Sequence, residues 1–248
     1  MQNQYDPRTT TGVNPTASVG VPRAARDAGL RSYMLSVYNY MASGVLLTGI
    51  VALLFAPYAA DVLVNSTGRG LSGLGWIVTL APLGFVMVMS FGINRISTGT
   101  LQLLFWAFAT VMGLSMSTIF IAYTGVSIAQ TFFAVTAAFL GLSLYGYTTK
   151  RDLSGFGTFL IMGVVGLLVA MLINLFLQSP AMQLAISAIG VLLFAGLTAY
   201  DTQKIKSMYY HVAGSDMMGK VVIMGALNLY LDFVNMFTFL LQFMGDRR

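Results

Sequence analysis

Seven long apolar runs, separated by short polar stretches, organise the chain. They extend from about Tyr33 to Tyr58, Leu74 to Ile93, Leu101 to Tyr123, Ala129 to Tyr147, Phe156 to Gln178, Pro180 to Ile205 and Gly219 to Met244. Each can cross a bilayer as a helix, because about 20 apolar residues rising 1.5 Å apiece span its hydrocarbon core. The first run meets Pro57, which predicts a break there. The second carries Pro82 and Gly84, a kink tolerated in a spanning helix when neighbours satisfy the freed carbonyl. Only Thr124 to Ile128 separates the third run from the fourth, which predicts a tight helical hairpin. Only Ser179 separates the fifth from the sixth, where Pro180 suits a first helical turn. The pattern predicts an all-α membrane protein of seven transmembrane helices. Residues 1–30 read as a flexible cytoplasmic tail without the apolar core of a secretory signal, and 31–248 as one seven-helix domain.

The seventh run differs from the others because it carries an acid near its middle. At helical spacing Gly225, Asn228, Asp232, Asn235 and Gln242 fall along one stripe, while Val222, Leu229, Phe233, Phe237 and Leu240 lie mostly elsewhere. One face of this helix is therefore polar and faces protein or water. An ionisable group at membrane depth costs roughly 3 kcal/mol unless it is paired, protonated or hydrated, so Asp232 reads as functional.

Composition narrows the chemistry. Of 248 residues 57% are hydrophobic and 8% charged, with a mean hydropathy of +0.79. All eight acidic residues are Asp. There is no Cys and the single His is His211, which excludes a disulfide framework, a thiolate metal site and a His-rich metal site, so no cofactor is expected. The net charge of +5 comes from basic residues scattered between apolar runs, a topogenic bias with no nucleic-acid-binding patch. With the N-terminus cytoplasmic, ten of the thirteen Lys and Arg lie inside; the exceptions are Arg69, Arg247 and Arg248. The last pair leaves two readings open, seven full spans or a re-entrant seventh segment.

The sixth run ends in a segment containing Asp201, which lies about as far before the Gly214 to Gly219 turn as Asp232 lies after it. In an antiparallel hairpin such residues sit at one height, so the spacing permits the carboxyls to meet. Touching carboxyls in low dielectric share a proton and can sense pH. Alternatively, Asp201 is an interfacial residue answering Lys204 or Lys206. Arg95, at the inner end of the second run, either balances the pair and closes the inner mouth of a pathway or is a positive-inside anchor. Asn228 and Asn235 flank Asp232 as pathway-lining oxygen ligands or as helix-packing amides. Two carboxylates with carbonyls and water offer Ca²⁺ a transient, low-affinity site at Asp201 and Asp232.

The segment Gly225-Ala-Leu-Asn-Leu-Tyr-Leu-Asp-Phe-Val-Asn-Met-Phe237, preceded by Ala199-Tyr-Asp-Thr-Gln203, resembles the signature of the Bax inhibitor-1, or transmembrane BAX inhibitor motif, family. The likeness extends more loosely over residues 31–244. It implies a central last helix surrounded by the other six, and a pH-sensitive calcium leak with Asp201 and Asp232 as sensor. By position rather than by motif it implies that Arg95 latches the closed state. The second run holds no acid to match the intramembrane Glu of some relatives. Short loops and the absence of Cys resemble a bacterial inner-membrane member.

Three functional readings compete. The first is a proton-gated cation leak whose partners are the lipid bilayer and calcium. The second is a non-conducting regulator acting through a membrane protease or membrane-protein quality control, roles to which bacterial relatives are linked. The third and most distant is an intramembrane enzyme: the lone His lies in a loop, no His-Glu-x-x-His occurs, and aspartyl catalysis by Asp201 and Asp232, though chemically conceivable, lacks the sequence context of an intramembrane aspartyl protease.

Overall fold

The computed structural model describes residues 23–65 and 70–247. The sequence expectation for residues 1–22 lies outside the described residues, and the helix that follows begins at Arg23, well before the first apolar run. The elements are α1 (Arg23–Leu63), α2 (Gly73–Gly92), α3 (Thr98–Met116), α4 (Ile119–Ala122), α5 (Gly125–Thr148), α6 (Ser154–Leu177), α7 (Pro180–Val212) and α8 (Met218–Met244). Among the described residues seven spans are long and apolar enough to cross a membrane, with α3 and α4 together making the third.

Lipid exposure sorts the helices by polarity. The least apolar span, α8, is the most enclosed, with 72% of its core stretch buried against at most 33% in any other. The most apolar, α6, is among the most exposed. A polar side chain finds partners only inside protein, whereas an apolar one is as well placed against lipid tails. Helices α1, α3, α5 and α7 pack directly on α8. Instead of six helices in one ring, α2 stands outside on α1 and α3, and α6 outside on α7.

Two boundaries depart from the sequence pattern. The first helix does not break at Pro57 but continues to Leu63. Proline removes one backbone hydrogen bond, while continuing the helix buries Ala59 and Leu63 and lets the Leu63 carbonyl lie against Gly75 of α2, where a Cβ would collide with it. The third and fourth runs do not form a packed hairpin. The hydroxyls of Ser117 and Thr118 donate to the carbonyls of Leu114 (2.6 Å) and Ser115 (3.0 Å). Such local bonds compete with the helical ladder, and the chain breaks there before α4 carries it across. Consequently α3 packs on α1, α2 and α8, and α5 on α7 and α8.

The seventh segment is not re-entrant. It is one continuous helix whose far end is fastened beside the α4–α5 turn: the Thr124 amide donates to the Asp246 carbonyl (3.1 Å) and the Asp246 amide to Ser127 Oγ (3.0 Å).

Close approach of α5 to α7 depends on Gly146, where an added Cβ would run into the Ala199 carbonyl oxygen. Gly141, on the same helix, has nothing within 4 Å of its Cβ position. Gly146→Ala is expected to destabilise by about 1–3 kcal/mol, and Gly141→Ala to be neutral or gain about 0.5–1 kcal/mol. Thermal unfolding in detergent checks both; equal midpoints would refute the packing role.

Candidate functional site at the α7–α8 interface

Helices α7 and α8 run antiparallel, and three members of the polar stripe on α8 face α7. Gly225 packs on the Ile205 side chain, 3.3 Å from its Cβ position. Asp232 meets Asp201, and Gln242 accepts a hydrogen bond from Gln183 Nε2 at 2.8 Å. Asn235 turns back instead, its amide donating to the Leu231 carbonyl of its own helix at 2.8 Å. Asn228 is half-buried.

The carboxyls of Asp201 and Asp232 lie within interaction range of each other across the α7–α8 interface. Ionised carboxylates only accept, so two carboxyls can hydrogen-bond to each other only by sharing a proton. Their surroundings differ. Asp232 is 4% exposed and its Oδ2 is buried without a donor, whereas Asp201 is half-buried. The cation acting on Asp201 is Lys204, one turn further along α7, whose ammonium also lies 5.8 Å from the Tyr200 ring centroid. At 1.5 Å per residue, Asp232 stands about 18 Å along α8 from Lys220.

Arg95 is not at this pair. It is exposed in the α2–α3 turn, next to the point where Lys220 Nζ donates to the Ile93 carbonyl at 3.0 Å. That is the start of α8, about 18 Å along the helix from Asp232, so in this conformation Arg95 holds neither carboxyl. Among the described residues no three His, Cys, Asp or Glu side chains gather as a metal site. A tight calcium site takes six to eight oxygens with several carboxylates; two carboxyls flanked by amides can offer only a weak one.

Polar ties missing from the sequence reading hold the pair in place. Thr202, beside Asp201, donates to the Thr198 carbonyl at 2.7 Å. Its one proton is thereby used, so Ser143 of α5 donates to Thr202 (3.0 Å) and Tyr38 of α1 to Ser143 (2.6 Å). Gln203 accepts from the Leu153 amide and donates to the Arg151 carbonyl, both at 2.8 Å, which fixes the α5–α6 turn to α7. Lys206 donates to the Tyr147 carbonyl at the end of α5 (2.6 Å). Two residues before Asp232, the Tyr230 hydroxyl lies 2.6 Å from Thr48 Oγ1, and Thr48 donates to the Ala109 carbonyl at 2.8 Å. The signal for these ties is single hydroxyl residues inside apolar runs, which seek partners on other helices.

In the α5–α6 turn Asp152 accepts hydrogen bonds from Ser154, its Oδ1 lying 2.9 Å from the Ser154 amide. The Ser154 side chain, then that amide, hold this carboxyl below the usual carboxylate range. A lowered folded value means the contact is present at neutral pH and lost as pH falls through it. A response between pH 6 and 8 therefore does not originate at Asp152.

A seven-span helical membrane protein whose last two spans share a carboxyl pair is the class these features define. The chain belongs to the Bax inhibitor-1 family: the family profile described as inhibitor of apoptosis-promoting Bax1 matches residues 30–248. It is 46% identical over 241 residues to an uncharacterized protein of Rickettsia prowazekii, covering 97% of this chain and 96% of that one. It is also 46% identical over 223 residues to the inner membrane protein YbhL of Escherichia coli, covering 89% and 94%. An uncharacterized protein of Caulobacter vibrioides is 44% identical over 228 residues, covering 90% and 91%.

The hydroxyl ties give an asymmetric prediction. Tyr230→Phe removes one hydrogen bond and leaves Thr48 still donating to Ala109, at about 1 kcal/mol. Thr48→Val leaves a buried phenol without an acceptor, at about 1–3 kcal/mol. Chemical unfolding in detergent should rank Thr48→Val as the more destabilising; the reverse order would overturn this assignment of donors.

Proposed function

We propose that the protein is a pH-sensitive calcium leak of a bacterial inner membrane, with its N-terminus cytoplasmic and Asp201 and Asp232 as the sensor. The observation that carries this reading is the contact between two carboxyls at membrane depth, one enclosed and one half-buried. Gain or loss of their shared proton changes the charge between α7 and α8 by one unit, where low dielectric magnifies the effect. Two ionised carboxyls repel each other and attract a divalent cation; a protonated pair does neither. The equilibrium position of α8 against its neighbours then follows the proton. Asn228 and Asn235 supply neutral oxygens on either side of Asp232, and the weak site suits passage better than storage. Family membership and the inner-membrane designation of YbhL support the class and the location.

The test is calcium flux into dye-loaded liposomes carrying the purified protein, from pH 6 to 8. Wild-type flux is expected to change with pH, by no more than about tenfold per unit if one proton is involved. Asp232→Asn, which keeps a donor toward Asp201 but cannot titrate, is expected to conduct without that dependence. The same pH profile in the variant would remove the pair as sensor. Absence of flux above empty liposomes at any pH would refute the leak and favour the non-conducting regulator.

A further inference from the structure

The turn between α5 and α6 and the adjoining face of α7 line a cavity of about 310 Å³, beside Asp201 on α7 but with neither carboxyl of the pair in its wall. Lys150, Arg151 and Lys204 line it, together with Asp152, Ser154 and Tyr200. Three cations therefore converge on a space where one carboxylate opposes them, and that carboxylate is directed at the Ser154 amide. Lys150 and Arg151 are exposed, and Lys204, also exposed, acts on Asp201 as well.

The cavity is held in shape without an occupant. Gln203, also in its wall, bonds the backbone on both sides of Asp152 through the Leu153 amide and the Arg151 carbonyl. The cationic turn thus cannot drift from α7 without losing both bonds. Tyr200 packs so closely on α6 that a Cβ at Gly157 would run into its ring. The cavity lies where two spans end, at the level of lipid headgroups. Just beyond it α6, the most apolar span, presents Phe156 (49% exposed) and Phe159 (65% exposed) to the surroundings, their rings stacked 6.4 Å apart.

We infer that this cavity binds the phosphate headgroup of an anionic phospholipid, whose acyl chains lie along the exposed face of α6. Basic pockets between spans at a membrane surface recognise such headgroups, each Lys or Arg near the surface adding attraction. Arg151 offers a planar fork for phosphate oxygens, and the two lysines add mobile donors. The apolar stacked rings beside the pocket separate a lipid from a soluble anion: a free phosphate uses the cations alone, whereas a phospholipid uses both surfaces. Asp152, ionised at neutral pH, moderates the attraction.

Native mass spectrometry of the full chain, released from micelles containing equal phosphatidylglycerol and phosphatidylcholine, tests the site. The wild type is expected to retain one phosphatidylglycerol in preference to phosphatidylcholine. Lys150→Gln, Arg151→Gln and Lys204→Gln should each lower that preference about fivefold, and Asp152→Asn should raise it by a similar factor. Arg151→Lys, which keeps the charge, should retain most of it. All of these side chains are exposed or at the molecular surface, and unchanged elution in size-exclusion chromatography verifies each fold. Equal retention of both lipids by the wild type would overturn the inference. So would a preference unchanged in all three Gln variants. Complete displacement of the lipid by excess inorganic phosphate would assign the pocket to soluble anions and overturn the lipid reading.

Discussion

A carboxyl group within a membrane-spanning helix has to be enclosed by protein, and the arrangement of the helices follows from enclosing Asp232. The helix that carries it is the least apolar span and sits at the centre. Four helices cover it directly, and the remaining two complete the outer layer. The apolar effect that buries side chains in water does not operate between helices in lipid, so the core here is selected by what lipid cannot satisfy. That explains why α6, with the highest apolar content, is an outer helix, although in water it would be the first to be buried.

Enclosure also needs hydrogen bonds, and these occur at three levels. Near the ends of α5 and α2, Lys206 and Lys220 place their ammonium groups on the terminal carbonyls, where helix dipoles favour positive charge. At mid-depth, the Tyr38–Ser143–Thr202 chain and the Tyr230–Thr48–Ala109 chain join α8 and α7 to α1, α3 and α5. Towards the end of α8, Asn174, Gln183 and Gln242 link their side-chain amides across α6, α7 and α8. In low dielectric an unpaired member of any of these would be expensive, so the bonds fix rotation of the helices as well as their proximity.

Much of this was legible in the sequence, for reasons that also explain what was not. Spans appear because a membrane imposes a length and a composition, and Asp201 and Asp232 could be matched because an antiparallel hairpin converts equal distance from a turn into equal height. Pro57 was misleading because one missing backbone bond counts for less than the packing of Ala59 and Leu63 beyond it. The Thr124 to Ile128 connection suggested a hairpin because loop length says how far the chain may travel and nothing about the direction that Ser117 and Thr118 impose. Arg95 was placed by its position at a helix end, whereas distance along α8 decides whether it can reach the pair. The partners of Gln203 lie in the α5–α6 turn and those of Thr48 and Tyr38 on other helices, and a linear pattern contains no register between such elements.

The central helix is fastened at both ends. Near its start Lys220 holds the Ile93 carbonyl of α2, and just past its end Asp246 exchanges bonds with Thr124 and Ser127 of the α4–α5 region, the Ser127 hydroxyl also lying 3.3 Å from its carboxylate. A rod pinned at both tips cannot slide like a piston without breaking one of them. A change of charge at its midpoint, where Asp232 sits, would therefore be taken up as bowing of the helix between its fixed tips. Such motion alters the gap beside the carboxyl pair while leaving the two surfaces of the protein in register.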